Sequence, residues 1–291
     1  MKKYHSFRVK DCTSVLGYIQ NEVVDRFEWP SESWSIDHTN QTVTLIAGPT
    51  PAERSKAVAQ TLELAVKKDT FVVLRGWRNE MFPVYGPDGD FLLEMERSAS
   101  GLFGIVSYGI HGTAYCEDEQ GLKIWVPRRS KTKQTYPSML DNTVAGGMST
   151  GERPFECLVR EGMEEASLPE DVVRANASAA GCVSYIYMRD PRAGGETDLV
   201  QPEVEYIYDI KLPANVVPKP NDTEVEEFSL LTVEETKRAL ANGEFKANCA
   251  VVLIDFFLRH GILTPENEKD FLQIITRIHR RLEFPTVTYA K

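Results

Sequence analysis

The stretch from Gly146 to Leu168, GGMSTGERPFECLVREGMEEASL, constrains this chain more than any other part of it. On a helix, Glu161, Glu164 and Glu165 lie at positions i, i+3 and i+4 and therefore share one face. Like charges at this spacing destabilise an isolated helix by about 0.2–0.5 kcal/mol per pair. The opposite stripe is apolar and is expected to pack on a sheet through Phe155, Leu158, Val159 and Met163.

The acidic face predicts a bound cation, because three neighbouring carboxylates need a counter-charge. Mg²⁺ and Mn²⁺ are hard divalent ions that prefer carboxylate oxygens as ligands. A solvated acidic helix face accounts for the same spacing, so the spacing alone leaves both interpretations open.

The residues around this helix form a more specific pattern. Six positions recur at fixed separations within it: Gly146, Glu152, Arg160, Glu161, Glu164 and Glu165. This stretch resembles the Nudix box. Two positions depart from the box, since Gly162 stands where the family has a bulky aliphatic residue and Ser167 where it has glycine. Gly162 costs roughly 1 kcal/mol of helix propensity, and Ser167 adopts a positive φ less readily than glycine.

The resemblance to the Nudix box implies a role for each matching residue. Glu161 and Glu165 would be the principal metal ligands, with Glu164 next, and all three are candidate catalytic residues. The carbonyl of Ala145 would be a further ligand to Mg²⁺ or Mn²⁺. Arg160 would brace the carboxylates by charge-assisted hydrogen bonds. Three more residues would be structural parts of the box, namely Gly146, Gly147 and Glu152.

Nudix enzymes often take a base or a further ligand from a glutamate on a later loop. The segment NDTEVEEFSLL fits that place, with Glu224 as the candidate catalytic residue and Glu226 as the candidate metal ligand. An acidic loop that caps the helix beginning near Thr232 is the alternative interpretation.

A basic segment precedes the box. Four cations lie within six residues: Arg128, Arg129, Lys131 and Lys133. In an acidic protein, such a cluster attracts an anionic ligand, and the planar guanidinium suits phosphate oxygens. We therefore predict that these residues bind substrate phosphates rather than stabilise the fold, with a solvated basic loop as the alternative.

The resemblance extends over nearly the whole chain, through WRNE, ERSASGLFGI, WVPRRSKTKQTYPSMLDNTVAGG and NCAVVLIDFFLRHG. These segments resemble the thiamine-pyrophosphokinase-related Nudix family of fungi and plants, which has its own N-terminal domain. That family implies hydrolysis of thiamine diphosphate and its oxidised oxo and oxy analogues to a monophosphate. It does not imply a kinase, and the sequence has no GxxxxGK[ST] phosphate loop.

The expected fold class is α+β. The alternating strands and helices after residue 104 predict a mixed sheet with helices packed against it, and the resemblance implies the Nudix α/β/α sandwich. We expect a small α+β N-terminal domain over residues 1–103 and a Nudix domain with C-terminal helices over residues 104–291. In the first domain, the apolar spacing predicts a helix over residues 10–27. A second helix should begin with a capping box formed by Thr50 and Glu53.

Composition limits the partners and the cellular compartment that we expect for this chain. The chain has 33 Lys and Arg against 43 Asp and Glu, a net charge of −10, which argues against nucleic acid as the main partner. Its five cysteines are odd in number and contain no CxxC pair, so we expect a reducing compartment. No apolar run reaches ~18 residues, so no membrane span is expected. A cytoplasmic enzyme with a small diphosphate substrate fits these features, and its oligomeric state stays open.

Three alternative functions remain. A nucleotide pyrophosphatase acting on oxidised nucleoside diphosphates would share the same box. A diphosphate isomerase resembles TYPSMLDNTVAGG, but it would want a catalytic cysteine that this segment lacks. A ligand-binding module without turnover is the third, although an intact carboxylate cluster argues against it.

The later strands carry residues that bear on substrate specificity. Acidic residues flank the later strands, and four tyrosines are interleaved with them, so this region could accept a flat cationic ring. The residues are Glu203, Glu205, Asp209 and Asp222, with Tyr185, Tyr187, Tyr206 and Tyr208. Strand aromatics that simply fill the core are the alternative.

Overall fold

The computed structural model describes residues 3–221 and 223–289, so Asp222 lies outside the described residues. The N-terminal domain combines a four-stranded sheet, a two-stranded hairpin and three helices. Its elements are β1 (Tyr4–Val9), β2 (Gly17–Gln20), α1 (Asn21–Arg26), β3 (Trp34–Asp37), β4 (Thr42–Leu45), α2 (Pro51–Lys67), β5 (Met81–Tyr85), β6 (Phe91–Glu96) and α3 (Ser100–Phe103).

The larger sheet has the order β2-β1-β4-β3, in which only β1 and β4 are parallel. Helix α2 begins as predicted. The Thr50 hydroxyl accepts from the N–H of Glu53, and the Glu53 carboxylate accepts from the N–H of Thr50. This reciprocal cap satisfies two donors that would otherwise lack partners at the helix end.

The helix predicted over residues 10–27 is wrong for most of its length. Residues Gly17–Gln20 form β2 and pair antiparallel with β1, and only Asn21–Arg26 is helical. The buried side chains of Leu16, Ile19 and Val23 fit either structure. The pairing with β1 decides in favour of a strand, and the spacing of apolar residues does not reveal that pairing.

The C-terminal domain is built on one six-stranded mixed sheet. Its strand order is β10-β11-β7-β8-β12, with β9 paired to β7, and only β11 and β7 are parallel. Its elements are β7 (Ser107–Asp118), β8 (Gly121–Arg129), β9 (Val144–Gly147), α4 (Pro154–Ala166), α5 (Glu170–Asn176), β10 (Ala177–Met188), β11 (Val200–Lys211), β12 (Val225–Thr232), α6 (Val233–Ala241), α7 (Ala247–Arg259) and α8 (Phe271–Ile278).

Helices cover both faces of this sheet, as β11 shows. Its side chains at positions 204, 208 and 210 pack in the same core as Leu158 of α4. On the other face, Ile207 packs with Val252 of α7, and Asp209 accepts from Arg259 at 2.5 and 2.9 Å. The α+β class and the α/β/α arrangement are therefore confirmed. Within residues 3–221 and 223–289, no helix is long and apolar enough to cross a membrane.

Two details of α4 differ from the sequence expectation. Met163 does not pack on the sheet but is 44% exposed, whereas Gly162 is buried. A Cβ atom on Gly162 would lie only 3.2 Å from Val173 of α5, so the glycine allows close helix packing. Ser167 ends the helix at φ 52°, in the left-handed conformation that usually favours glycine.

Candidate active site

Strand β9 and helix α4 bring two box carboxylates to one place. The N–H of Ala145 donates to Glu165 Oε2 at 3.2 Å. At the next residue, a Cβ atom on Gly146 would overlap the Glu161 carboxylate, so only glycine leaves room for it. Both carboxylates therefore lie against consecutive residues of β9, close to the backbone.

The electrostatics of this carboxylate pair favour a cation. Burial raises the pKa of Glu161 to about 6, although the charge and hydrogen bond of Arg160 oppose the rise. Burial and then the negative charge of Glu161 raise the pKa of Glu165 to about 8. A nearby positive ion would stabilise the charged form of both groups.

Arg160 links three carboxylates of the box. Its Nε and Nη2 donate to the two carboxylate oxygens of Glu152 at 2.8 and 3.1 Å. Its Nη1 donates to Glu161 Oε1 at 2.8 Å and to Glu164 Oε2 at 3.0 Å. The guanidinium thus fixes the carboxylates in position, and its donors are taken up within the box.

The oxygen donors at this point fit a hard divalent ion. Glu161, Glu165 and the carbonyl of Ala145 would supply ligands, and Mg²⁺ ordinarily takes one or two carboxylates with the rest from water and substrate phosphate. Glu164 differs from Glu161 and Glu165 in that its side chain is 56% exposed. Among the described residues, no three or more His, Cys, Asp or Glu side chains lie in a metal-holding arrangement, so the protein side chains supply a partial ligand set.

The two candidates on the later loop differ in position. Glu224 lines the same cavity as the box carboxylates and accepts from Lys133. Burial raises its pKa, but the hydrogen bond and charge of Lys133 outweigh burial and leave the pKa lowered. Glu226 lies outside the cavity and pairs with Lys131 at 3.3 Å.

The four cations of the basic segment also differ in whether they line the cavity. Arg129 and Lys133 line the cavity, whereas Arg128 and Lys131 do not. The Nη1 of Arg128 donates instead to the carbonyl of Ser138 at 2.9 Å. The structure therefore brings two of the four predicted cations to the site.

Arg129 is bound to partners in the protein interior. It is 8% exposed and pairs with buried Asp141 at 2.5 Å. Its Nε and Nη2 also donate to the carbonyls of Thr135 and Tyr136. Burial would raise the pKa of Asp141, but the charges of Lys246 and Arg129 hold it well below its usual range. This network anchors the segment from which Lys133 reaches the cavity.

The cavity has a volume of about 740 Å³ and extends well beyond the box. One wall is acidic, because Glu203 and Glu205 lie on the same face of β11 and both line it. The hydroxyl of Tyr185 lies 2.7 Å from Glu203 Oε2 and 3.3 Å from Glu205 Oε1. Burial, followed by the charge of Glu205, raises the pKa of Glu203 to about 7.

A buried acceptor completes this acidic wall. Gln201 is 8% exposed and lines the cavity, and its Oε1 has no hydrogen-bond partner among the described residues. Of the four tyrosines singled out from the sequence, only Tyr187 lines the cavity. Tyr206 and Tyr208 belong to the core beneath α4. The core interpretation therefore holds for these two.

Sequence reasoning did not find four other residues that line the cavity: Arg97, His111, Gln201 and Lys246. None lies in the box or in the basic segment. Strand alternation offers a signal for Gln201, since it occupies the same face of β11 as Glu203 and Glu205.

Comparison with known proteins agrees with this arrangement. Residues 112–249 match the model of the NUDIX domain, and residues 1–107 match a domain of unknown function, DUF4743. An uncharacterized protein of Saccharomyces cerevisiae is 47% identical over 220 residues, which cover 74% of this chain and 64% of the relative. Nudix hydrolase 20, chloroplastic, of Arabidopsis thaliana is 33% identical over 277 residues, which cover 92% of this chain and 71% of the relative.

The chain belongs to the Nudix hydrolase family, with a separate N-terminal domain before the Nudix domain. It spans about two thirds of the length of these two relatives. The crystal structure of a Deinococcus radiodurans protein is 18% identical and has a TM-score of 0.42, covering 69% of this chain and all of that one. The family assignment rests on the sequence relatives.

Proposed function

We propose that this chain is a divalent-metal-dependent diphosphatase, which hydrolyses a diphosphate to a monophosphate and phosphate. The observation that carries the proposal is the buried pair Glu161 and Glu165, held against Ala145 and Gly146. With Mg²⁺ or Mn²⁺ bound there, the ion would supply Lewis acidity toward the phosphoryl group and a lowered pKa of water.

Residues of the chain would orient the reactants. Lys133 is the cation of the basic segment that is best placed to contact a phosphate oxygen, because it pairs with Glu224 at the cavity. Arg129 is instead bound to buried Asp141 and to two backbone carbonyls. Glu224 has a lowered pKa and is therefore ionised at neutral pH, and it lines the cavity, so it would act as the general base for the attacking water. Arg160 would keep Glu161 and Glu164 in place without contacting the substrate.

We further propose that the substrate is thiamine diphosphate or one of its oxidised analogues. The resemblance to the thiamine-pyrophosphokinase-related family supports this assignment. So does the acidic wall formed by Glu203 and Glu205, since carboxylates attract a cationic ring and accept hydrogen bonds from amino groups. Oxidised nucleoside diphosphates are the second candidate, because they would use the same box.

A hydrolysis screen tests both proposals. Thiamine diphosphate, its oxo and oxy analogues, nucleoside diphosphates and ADP-ribose would be compared with and without Mg²⁺. Released phosphate would be measured directly for the terminal diphosphates, and after added phosphatase for ADP-ribose, whose cleavage gives AMP and ribose 5-phosphate. We expect turnover only with metal, and kcat/KM for oxidised thiamine diphosphate at least about tenfold above that for ADP-ribose, or ~1.4 kcal/mol. An equal or inverted ratio would favour the nucleotide substrate.

The cellular location is a separate proposal. All five cysteines are free in the structure, which suits a reducing compartment such as the cytoplasm. Imaging of the tagged full-length protein tests this, and a signal confined to a secretory or other organelle would contradict it.

A further inference from the structure

The N-terminal domain forms a wall of the cavity that the Nudix box does not explain. Arg78, Phe82 and Arg97 of this domain line the same cavity as Glu161 and Glu165 of α4. A ligand at the box carboxylates would therefore occupy a space that both domains enclose.

Direct contacts fix the β5–β6 hairpin on the loop of the box. Thr150 donates from its N–H and its hydroxyl to the carbonyl of Met81, at 2.8 and 3.1 Å. Beside it, a Cβ atom on Gly147 would lie 2.9 Å from Phe82 Cζ and 3.3 Å from Arg97 Cζ. The absence of a side chain at Gly147 thus lets the hairpin, and the arginine that follows it, approach β9 closely.

Arg97 is held in position by its own domain. Its Nη1 donates to Glu80 Oε2 at 2.6 Å, and its guanidinium carbon lies 5.5 Å from the centre of the Phe82 ring. The side chain is nevertheless 37% exposed and faces the cavity. Because a Cβ atom on Gly147 would lie 3.3 Å from the Arg97 Cζ atom, the guanidinium lies directly beside the box.

Arg78 approaches the site from a second direction. Its backbone N–H donates to the buried carboxylate of Glu96 at 3.0 Å, which fixes the chain at that residue. Its Nη1 lies 3.7 Å from Glu224 Oε1, and its side chain is 40% exposed. Because Glu224 also accepts from Lys133, Arg78 and Lys133 meet at the same carboxylate.

We propose that Arg78 and Arg97 bind the diphosphate of the substrate, so that the N-terminal domain completes the active site. The identity of the ligand as a diphosphate rests on the proposed function. A planar guanidinium presents paired donors that match phosphate oxygens, and both groups are positioned before the ligand arrives. The N-terminal domain thereby has a binding role in addition to its structural one.

The test uses the full chain and inorganic pyrophosphate as the probe. Arg78→Ala and Arg97→Ala would be compared with Arg8→Ala, which removes the same charge from the same domain. Arg8 lies outside the cavity and donates to the carbonyl of Thr13 at 2.9 Å. By calorimetry with Mg²⁺ present, each of the first two variants should bind pyrophosphate at least about tenfold more weakly than the parent, as expected for lost charge-assisted hydrogen bonds. Arg8→Ala should bind like the parent.

The melting temperature of each variant separates loss of binding from loss of fold. Should Arg97→Ala unfold, Arg97→Lys retains the charge without the planar fork and should bind with intermediate affinity. Parent-like affinity in both cavity variants, or a parent that does not bind pyrophosphate, would overturn the proposal. Failure of the proposed function has a different signature, namely arginine-dependent pyrophosphate binding without phosphate release from any diphosphate in the screen.

Discussion

The Glu161 carboxylate lies so close to Gly146 that a Cβ atom on residue 146 would overlap it, so only glycine fits at this position. We predict that Gly146→Ala displaces the Glu161 carboxylate, lowers kcat by at least about a hundredfold, or ~2.7 kcal/mol, and raises the Mg²⁺ concentration needed for half-maximal activity. Gly101→Ala is the control, because Gly101 also lines the cavity but a Cβ atom there would have its nearest neighbour at an ordinary 3.5 Å. A parent-like Mg²⁺ requirement in Gly146→Ala would refute this arrangement.

Glu165→Gln preserves the shape of the side chain and removes its charge. Because Glu165 is a proposed metal ligand, we expect kcat to fall by about two orders of magnitude or more, with the melting temperature retained. Glu156→Gln is the matched control, since Glu156 lies on the same helix and pairs with Arg174 at the surface. Steady-state phosphate release measures both variants. If Glu165→Gln hydrolyses diphosphates at the parent rate, the metal site is misassigned.

Lys133 and Lys131 provide a matched pair within one segment. Lys133 lines the cavity and Lys131 is 76% exposed outside it. Lys133→Ala should raise KM for the diphosphate by about tenfold, because a charge-assisted contact to phosphate is lost. Lys131→Ala should leave KM unchanged. Equal effects on KM in the two variants would indicate that the whole segment is a solvated basic loop without a role in phosphate binding.

Arg129→Ala should act mainly on stability. It leaves the buried carboxylate of Asp141 without its direct ion pair, and breaking a buried pair costs about 3–5 kcal/mol. Arg128→Ala is the comparison, since this side chain is 37% exposed and should change the free energy of unfolding by less than about 1 kcal/mol. Urea denaturation measures both, and similar values for the two would argue against a structural role for Arg129.

The free energy of unfolding of the metal-free chain should depend on pH because of Glu203, a carboxylate of the acidic wall. The pKa of Glu203 is raised from 4.5 to about 7 in the folded state. Its protonation therefore stabilises the fold fully below pH 4.5, and this contribution is lost as the pH rises through 7. The free energy of unfolding should fall between pH 5 and pH 8, by on the order of 2–3 kcal/mol from this residue.

Glu203→Gln isolates that contribution. Glu161 and Glu165 also have raised pKa values and act in the same direction. The variant should therefore keep part of the pH dependence, smaller than that of the parent by the Glu203 contribution. Denaturant titrations at pH 5, 6.5 and 8 provide the measurement, with the surface variant Glu170→Gln as the control. A pH dependence identical in Glu203→Gln and the parent would contradict the assignment.

The sequence predicts best those features that depend on short-range spacing. The box helix and the cap at Thr50 follow from residues within a few positions of one another, and both are present in the structure. The strand Gly17–Gln20 was missed because its pairing with β1 is a tertiary contact. Whether a basic side chain reaches the cavity is also decided by tertiary partners, such as the pairing of Lys131 with Glu226.

The largest gap between sequence and structure lies in the N-terminal domain. Nothing in the spacing around Arg97 indicates that it lies beside Gly147, since the two residues are brought together by packing of the β5–β6 hairpin on the box loop. The 49 residues between them carry no local pattern that would relate the two positions. Such contacts between domains are visible only in three dimensions.

The alternation of β11 has a consequence for how this chain can change in length. Val204, Tyr206, Tyr208 and Ile210 pack in the core beneath α4, while Gln201, Glu203 and Glu205 face the cavity. Inserting or deleting one residue within the strand would exchange the two sets, placing carboxylates in the core and tyrosine rings at the site. Only the loops around β11 can therefore gain or lose a residue without exchanging these two faces.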